Sequence, residues 1–461
     1  MTYCKTENDR IGKEHKMAHT IEEYIDRGAF LCKCGKTHEP KIKKAVIGDG
    51  ALEKVPQILA ELGGTKPFVI CDPNTYRAAG ERVLDILKCA GMEYALFTFS
   101  EGHPEPDEKA VGSVMLHYDS SCDIILGVGS GVLNDIGKII ADIAHAPYVI
   151  VGTAPSMDGY ASGTSSVIRD NLKVSVNSHC PDVVVGDLDV LSHAPLKMLQ
   201  SGIGDMIAKY ISIAEWRISN IINGEYYCAD IAAIINDALF KCVENADGVK
   251  SHDKEVCRAV MEGMVLSGVA ANYAGISRPV SGMEHYFSHV WDMRMIEFGR
   301  PADLHGVQCG IATIDAIKIY DEIKKITPDR EKAKKYVESF DYENWKAFLR
   351  KNLGRGAEQM IKNEEKEKKY DKAAHAARLE NIIAHWDEIL DIINGLPSLC
   401  ELEALFEKTG APRTVEDIGL TKEEERMAFL MTKDVRDKYI ASRLLWDLGE
   451  LDSVCDKVFP I

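Results

Sequence analysis

Residues 122–153 read CDIILGVGSGVLNDIGKIIADIAHAPYVIVGT. The run IILGV is short and apolar, as a strand buried on both faces must be. From Gly131 the apolar residues return at helical spacing through Ile143, and YVIVG is a second buried strand. This strand–helix–strand unit repeats outward in both directions. KKAVIGDG and PFVICD read as strands, each followed by a helix (ALEKVPQILAELG, NTYRAAGERVLDILKCAG). YALFTF is a strand before the helix PDEKAVGSVMLHY. SSVIRDNLKVSV reads as a β-hairpin turning at Asp170-Asn171, and PDVVVGDLDVL as a closing strand. The alternation implies an α/β, doubly wound and mostly parallel sheet. Near residue 193 the texture changes to helices over 193–219, 225–246, 252–274, 279–297 and 303–325, with more beyond. The expected organisation is therefore an α/β domain, 1–192, and an all-helical domain, 193–461, with a cleft between them. No internal repeat is visible.

The chain has 461 residues, 46% of them hydrophobic and 28% charged, with 55 basic and 72 acidic side chains and a net charge of −17. Such an acidic balance offers no electrostatic footprint for nucleic acid. No apolar run approaches the roughly 20 residues of a membrane span. The polar start, MTYCKTENDRIGKEHKM, predicts no secretory leader. Thirteen cysteines without a framework spacing predict free thiols and a cytoplasmic protein.

The chemistry concentrates between Glu284 and Gly306, EHYFSHVWDMRMIEFGRPADLHG. His285 and His289 are four apart and share one helical face. His305 opens the next helix, before Gly306, a residue that lets another group approach the backbone. About eighty residues upstream, in GIGDMIAKY, Asp205 is an acid on an apolar helix next to Gly202 and Gly204. One carboxylate and two imidazoles on converging helices make a three-ligand metal site with an open position. The plainer readings are a satisfied histidine pair and an ordinary Asp205–Lys209 helix ion pair.

Loops at the carboxyl ends of the strands carry the cofactor signal. Gly127-x-Gly129-Ser130-Gly131 lets a pyrophosphate approach backbone N–H groups at a helix start. It departs from the usual dinucleotide fingerprint: the third glycine is absent and the loop follows the fourth strand. Asp72 ends PFVICD, where a carboxylate binds ribose hydroxyls or caps a helix. TAPSMDGYASGTSS (153–166), with its hydroxyls, glycines and Asp158, suits a cleft lining or a plain surface loop. Near the start, CKCGKTH holds Cys32, Cys34 and His38. A fourth zinc ligand is missing and the cysteines are closer than usual, so the segment reads as a tight turn leading into the first strand. Residues 355–380, rich in Glu, Lys, Arg and Ala, read as a solvated helical face. KEEERMAFLMTKDVRDKYIASRLLWDLG reads as one last long helix packed on the core.

Together GVGSGVLNDIGK, TAPSMDGYAS, GDMIAKY and EHYFSH…LHG resemble the glycerol-1-phosphate dehydrogenases, in the superfamily of glycerol dehydrogenase, iron-containing alcohol dehydrogenases and dehydroquinate synthase. The Cys-x-Cys-Gly segment and the C-terminal GAP…IGL…VRDKY…LLWDLG are similar to the bacterial arabinose-operon type. The resemblance spans nearly the whole chain; PSMDGYAS is its most specific motif, and the charged stretch near 361–375 matches least. It implies that Asp205, His285 and His305 hold one divalent metal, zinc or nickel. It implies that Asp72 binds the adenosine ribose, that Gly131, Val132, Leu133, Asn134 and Asp135 line the pyrophosphate, and that Thr153, Ser156 and Ser162 contact the cofactor further along. Asp158 and His289 would face the substrate as catalytic groups, with Asp205 near it. NAD(H) is expected in preference to or alongside NADP(H), because an acid at 72 repels a 2′-phosphate.

The implied reaction is reversible reduction of dihydroxyacetone phosphate to sn-glycerol 1-phosphate in phospholipid metabolism, by a homodimer. His289 would relay the proton. Lys209, Lys173 and Arg300 are the candidate phosphate partners. The alternatives are another metal-dependent polyol or alcohol dehydrogenase of the superfamily and a non-catalytic paralogue. Dehydroquinate synthase is disfavoured, because it typically carries Glu where Asp205 stands.

Overall fold

The computed structural model describes residues 20–461 except Glu101 and Asn171; the polar stretch behind the no-leader expectation lies outside them. A small hairpin, β1 (Phe30–Leu31) and β2 (Thr37–His38), precedes the main sheet. That sheet holds β3 (Lys44–Gly48), β4 (Pro67–Cys71), β5 (Ala95–Thr98), β6 (Ile124–Gly129), β7 (Tyr148–Gly152) and β10 (Val183–Asp187). Its order is β3-β10-β7-β6-β4-β5, and every adjacent pair is parallel. The expected closing strand is thus an inserted one. β10 lies between β3 and β7, as its uniformly buried VVVGD demands of a strand with neighbours on both sides. β8 (Thr164–Arg169) and β9 (Leu172–Asn177) form the separate antiparallel hairpin, with Asp170 at positive φ in its turn.

One sheet face packs Val69, Leu126, Val149, Val151 and Val185 against residues 51–62 and 81–89. The other face meets the Gly131–Ala144 helix and merges with the core of the helical region. Because the strands are parallel, β4, β6 and β7 end at one edge, bringing Asp72, Ser130 and Thr153 together there.

Beyond β10 the described residues are helical. The expected 193–219 helix is two, Leu196–Ile207 and Lys209–Asn223, joined at Ala208. The expected last long helix is also broken, into Lys422–Thr432 and Ala441–Leu448, with Leu451–Val458 after it. Buried polar groups hold the intervening loop out of helix. Asp434 accepts from Trp345 Nε1 at 3.0 Å and from the Tyr370 hydroxyl, and Lys438 Nζ donates to Ser281 O at 2.8 Å. The charged stretch forms two helices, Gly356–Glu367 and Lys372–Ala384, and the first buries Met360 and Ile361 on one face. No described helix is long and apolar enough to cross a membrane.

Candidate metal centre and cofactor edge

The Leu196–Ile207 and His305–Ile323 helices cross backbone against backbone. A Cβ on Gly204 would collide with Gly306 O, and one on Gly306 with Ser201 O. Only glycine permits this approach, and it sets Asp205 beside His305. The Met283–Glu297 helix supplies His285. Ligating atoms of Asp205, His285, His305 and Cys309 all lie within 4.8 Å of one another. His285 Nε2 is 3.5 Å from Asp205 Oδ1, and the two histidine rings sit edge to face at 5.0 Å.

Neighbouring groups aim both imidazoles. His285 Nδ1 donates to Glu284 Oε1 at 2.9 Å, which turns the Nε2 lone pair toward Asp205. Ser288 gives its hydroxyl proton to Gln308 Oε1 at 2.6 Å. It therefore accepts from His305 Nδ1 at 2.8 Å, freeing His305 Nε2. The chain continues through Gln308 Nε2 to Asp292 at 3.0 Å and on to Lys173, 2.5 Å from Asp292.

Burial alone would push the Asp205 carboxyl up, but Lys209, His305 and His285 draw it down to about 2. Burial, then Lys209, lowers His285 well below its ordinary value. A charged carboxylate and two imidazole nitrogens converging on one point fit a divalent cation. Cys309, one turn beyond His305, is the member that sequence reasoning missed. Burial pushes its thiol well up, and a cysteine in an apolar helix reads as core.

Asp158 joins this centre through Lys209. Lys209 Nζ lies 2.5 Å from Asp158 Oδ2 and 3.4 Å from Asp205 Oδ1, and Asp158 N–H donates to Asp205 Oδ2 at 2.9 Å. The Asp205–Lys209 pair exists, but Asp158 is the closer partner. The His289 ring is 6.1 Å from that of His305. Burial lowers His289, followed by the charge of Arg436 and then by His305 and Lys173. Of the three candidate cations, Lys209 and Lys173 face the centre. Arg300 instead binds Glu424 at 2.6 Å and Gly419 O at 2.7 Å. Arg436 was missed because the loop carrying it reads as helix.

At the sheet edge, Ser130 precedes the Gly131–Ala144 helix with no side-chain cap, so its first N–H groups are free for an anion. Asp72 caps the next turn: Oδ1 accepts from Asn74 N at 2.7 Å and Thr75 N at 2.9 Å, which leaves Oδ2. Val132 is half-buried, whereas Leu133 is in the core and Asn134 holds Gly159 O at 3.1 Å. The Leu133 and Asn134 side chains are thus occupied within the protein, and only their backbone is left to meet a ligand at this edge. Asp135 pairs with Lys138 at 2.8 Å, and Ser162 Oγ accepts from Lys138 at 3.3 Å. Thr153 and Ser156 are buried in the loop, Thr153 N–H bonding Gly129 O at 3.1 Å and Ser156 O accepting from Ser201 at 2.8 Å.

Residues 46–195 match the family of iron-containing alcohol dehydrogenases. The chain is 27% identical to a glycerol-1-phosphate dehydrogenase [NAD(P)+] of Halalkalibacterium halodurans, over 94% of this chain and 99% of that one. It is 33% identical to one of Methanosarcina acetivorans, over 62% of this chain and 80% of that one. Among solved structures, a glycerol dehydrogenase from Schizosaccharomyces pombe shares the fold, with TM-score 0.58 and 18% identity over 91% of this chain and 90% of that one.

Proposed function

The chain belongs to the glycerol-1-phosphate dehydrogenase family, and we propose that it catalyses reversible NAD(P)H-linked reduction of dihydroxyacetone phosphate to sn-glycerol 1-phosphate. The observation that carries this reading is the convergence of Asp205, His285 and His305 within 4.8 Å, beside Asp158 and His289.

Asp205, His285 and His305 would hold a divalent ion, zinc or nickel, whose Lewis acidity would polarise a ketone oxygen. A bound nicotinamide would supply the hydride. The protein's own groups do the rest. Glu284 and Ser288 fix the two imidazoles. Lys209 pairs with both Asp158 and Asp205, which would face the substrate space. His289, kept neutral, accepts or relays the alcohol proton. Lys173 and Arg436, the cations acting on His289, suit the substrate phosphate. Gly131 through Asp135 would line the pyrophosphate, Asp72 Oδ2 would take the ribose hydroxyls, and Thr153, Ser156 and Ser162 would flank the nicotinamide half. An acid at 72 favours NAD(H) over NADP(H).

We take residues 1–192 as the cofactor domain and 193–461 as the metal and substrate domain. A homodimer and a cytoplasmic setting complete the reading, the latter supported by the free cysteines among the described residues. A phosphorylated glycerol product suits phospholipid metabolism. The test is turnover and bound metal in Asp205→Ala and His285→Ala. Both are expected to lose the ion at this centre and nearly all activity. Unchanged turnover in either variant would overturn the proposal.

A further inference from the structure

Forty residues before the first cofactor loop, the β1–β2 hairpin carries Cys32, Cys34 and His38. The structure supplies the ligand that the sequence lacks. Cys228, at the start of the Ala229–Glu244 helix, closes a group whose four ligating atoms lie within 4.8 Å of one another. Its separation of 190 residues from His38 hid it from any spacing rule.

Three of the six distances among these atoms are close to the edges of a coordination polyhedron, and all six are within 4.8 Å. With zinc–sulfur bonds of about 2.3 Å and zinc–nitrogen bonds of about 2.0–2.1 Å, a tetrahedron has edges of about 3.8 Å between sulfurs and about 3.6 Å between sulfur and nitrogen. Cys32 Sγ and Cys228 Sγ are 3.7 Å apart, His38 Nε2 is 3.7 Å from Cys228 Sγ, and it is 3.3 Å from Cys34 Sγ. A disulfide would need about 2.05 Å.

The surroundings are prepared as well. His38 is buried, and its Nδ1 donates to Tyr273 O at 2.7 Å, which turns the Nε2 lone pair into the cluster. The hairpin turn holds Gly35 at φ +85°, Gly35 N–H bonds Cys32 O at 3.0 Å, and Cys34 N–H points at Cys32 Sγ, 3.5 Å away. Cys228 is the N-cap residue of its helix but makes no side-chain capping bond, and its Sγ meets Cys32 and His38 instead. Lys36 lies over the Tyr226 ring, and the Tyr226 hydroxyl meets Cys34 Sγ at 3.3 Å.

We propose that Cys32, Cys34, His38 and Cys228 form a second, structural zinc site that fastens the N-terminal hairpin to the helical region. Three thiols and one imidazole leave no open position, so the site is closed rather than catalytic. On binding, each of the three thiols releases its proton to solvent, and Cys32 gives up its bond to Asp230, 3.3 Å away and exposed, whose carboxylate turns to water.

The test uses the full-length, untagged chain carrying His285→Ala, which weakens the other centre. After dialysis against a chelator, elemental analysis and zinc K-edge absorption are expected to give one zinc per chain, bound by three sulfurs and one nitrogen. Adding Cys228→Ser is expected to abolish that zinc. In the unsubstituted chain, mercurial titration is expected to release it as three thiols react, whether or not the cysteine variant folds. A zinc-free His285→Ala chain, a zinc shell dominated by oxygen and nitrogen, or a Cys32–Cys228 disulfide would overturn the proposal. None of these readouts uses turnover, so they stand apart from the dehydrogenase assignment.

Discussion

Glu284 is a buried carboxylate whose Oε1 accepts from Gly282 N–H at 2.7 Å and from His285 Nδ1 at 2.9 Å. It fixes which nitrogen of His285 faces the centre. Glu284→Ala is expected to cost about 10- to 100-fold in metal affinity with His285 still in place, measurable by competition with a chelator. Its neighbour Glu215 is pushed up to about 8 by burial and by the Glu284 charge. A folded pKa above the unfolded one gives stability that is full below the unfolded value, about 4.5, and is lost as pH rises through about 8. Thermal melting followed across that window is expected to fall less steeply in Glu215→Gln than in the unsubstituted chain. At this scale the sequence was partly legible. Asp205, His285 and His305 stand out because a charged or basic group on an apolar, glycine-flanked helix needs a reason. Glu284 and Cys309 do not, since one resembles a solvated acid and the other an ordinary core residue.

The helix pair Leu196–Ile207 and His305–Ile323 is the element on which the centre depends. Because Gly204 and Gly306 touch the opposite backbone, Gly306→Ala must push the helices apart. Overpacking of this kind costs about 3 kcal/mol. The expected result is a lower melting temperature together with weaker metal binding, whereas unchanged metal affinity would mean that the crossing does not set the site. The 433–440 loop works by exception. Its residues have helical periodicity, but Asp434 and Lys438 satisfy their polar groups against distant elements, so tertiary bonding overrides the local pattern. That override leaves Arg436 bonded to Ser175 Oγ at 3.0 Å, with its charge, after burial, lowering the pKa of His289. Arg436→Ala is expected to raise KM for the phosphorylated ketone by about 10-fold or more with a smaller change in kcat, as losing a charge-assisted phosphate contact should. An unchanged KM would remove Arg436 from the substrate site. The sheet, by contrast, was legible almost strand by strand, because buried parallel strands have an apolar signature; the position of β10 within it was not, since strand order is a long-range property.

Across the molecule, a net charge of −17 opposes an anionic substrate, so binding depends on a few local cations against the general field. Lys209, paired with Asp158 and Asp205, Lys173, paired with Asp292, and Arg436, bonded to Ser175, are the cations that this reading assigns to that task. Product stereochemistry is the property of the whole site that no single residue reports, because it fixes which face of the ketone meets the cofactor. The decisive measurement is NADH oxidation by the metal-loaded chain with dihydroxyacetone phosphate, its product then offered to a stereospecific sn-glycerol-3-phosphate dehydrogenase. NADH consumption yielding a glycerol phosphate that this second enzyme cannot oxidise is the expected result. No turnover with this ketone, alongside turnover of glycerol or another unphosphorylated alcohol, would contradict the assignment.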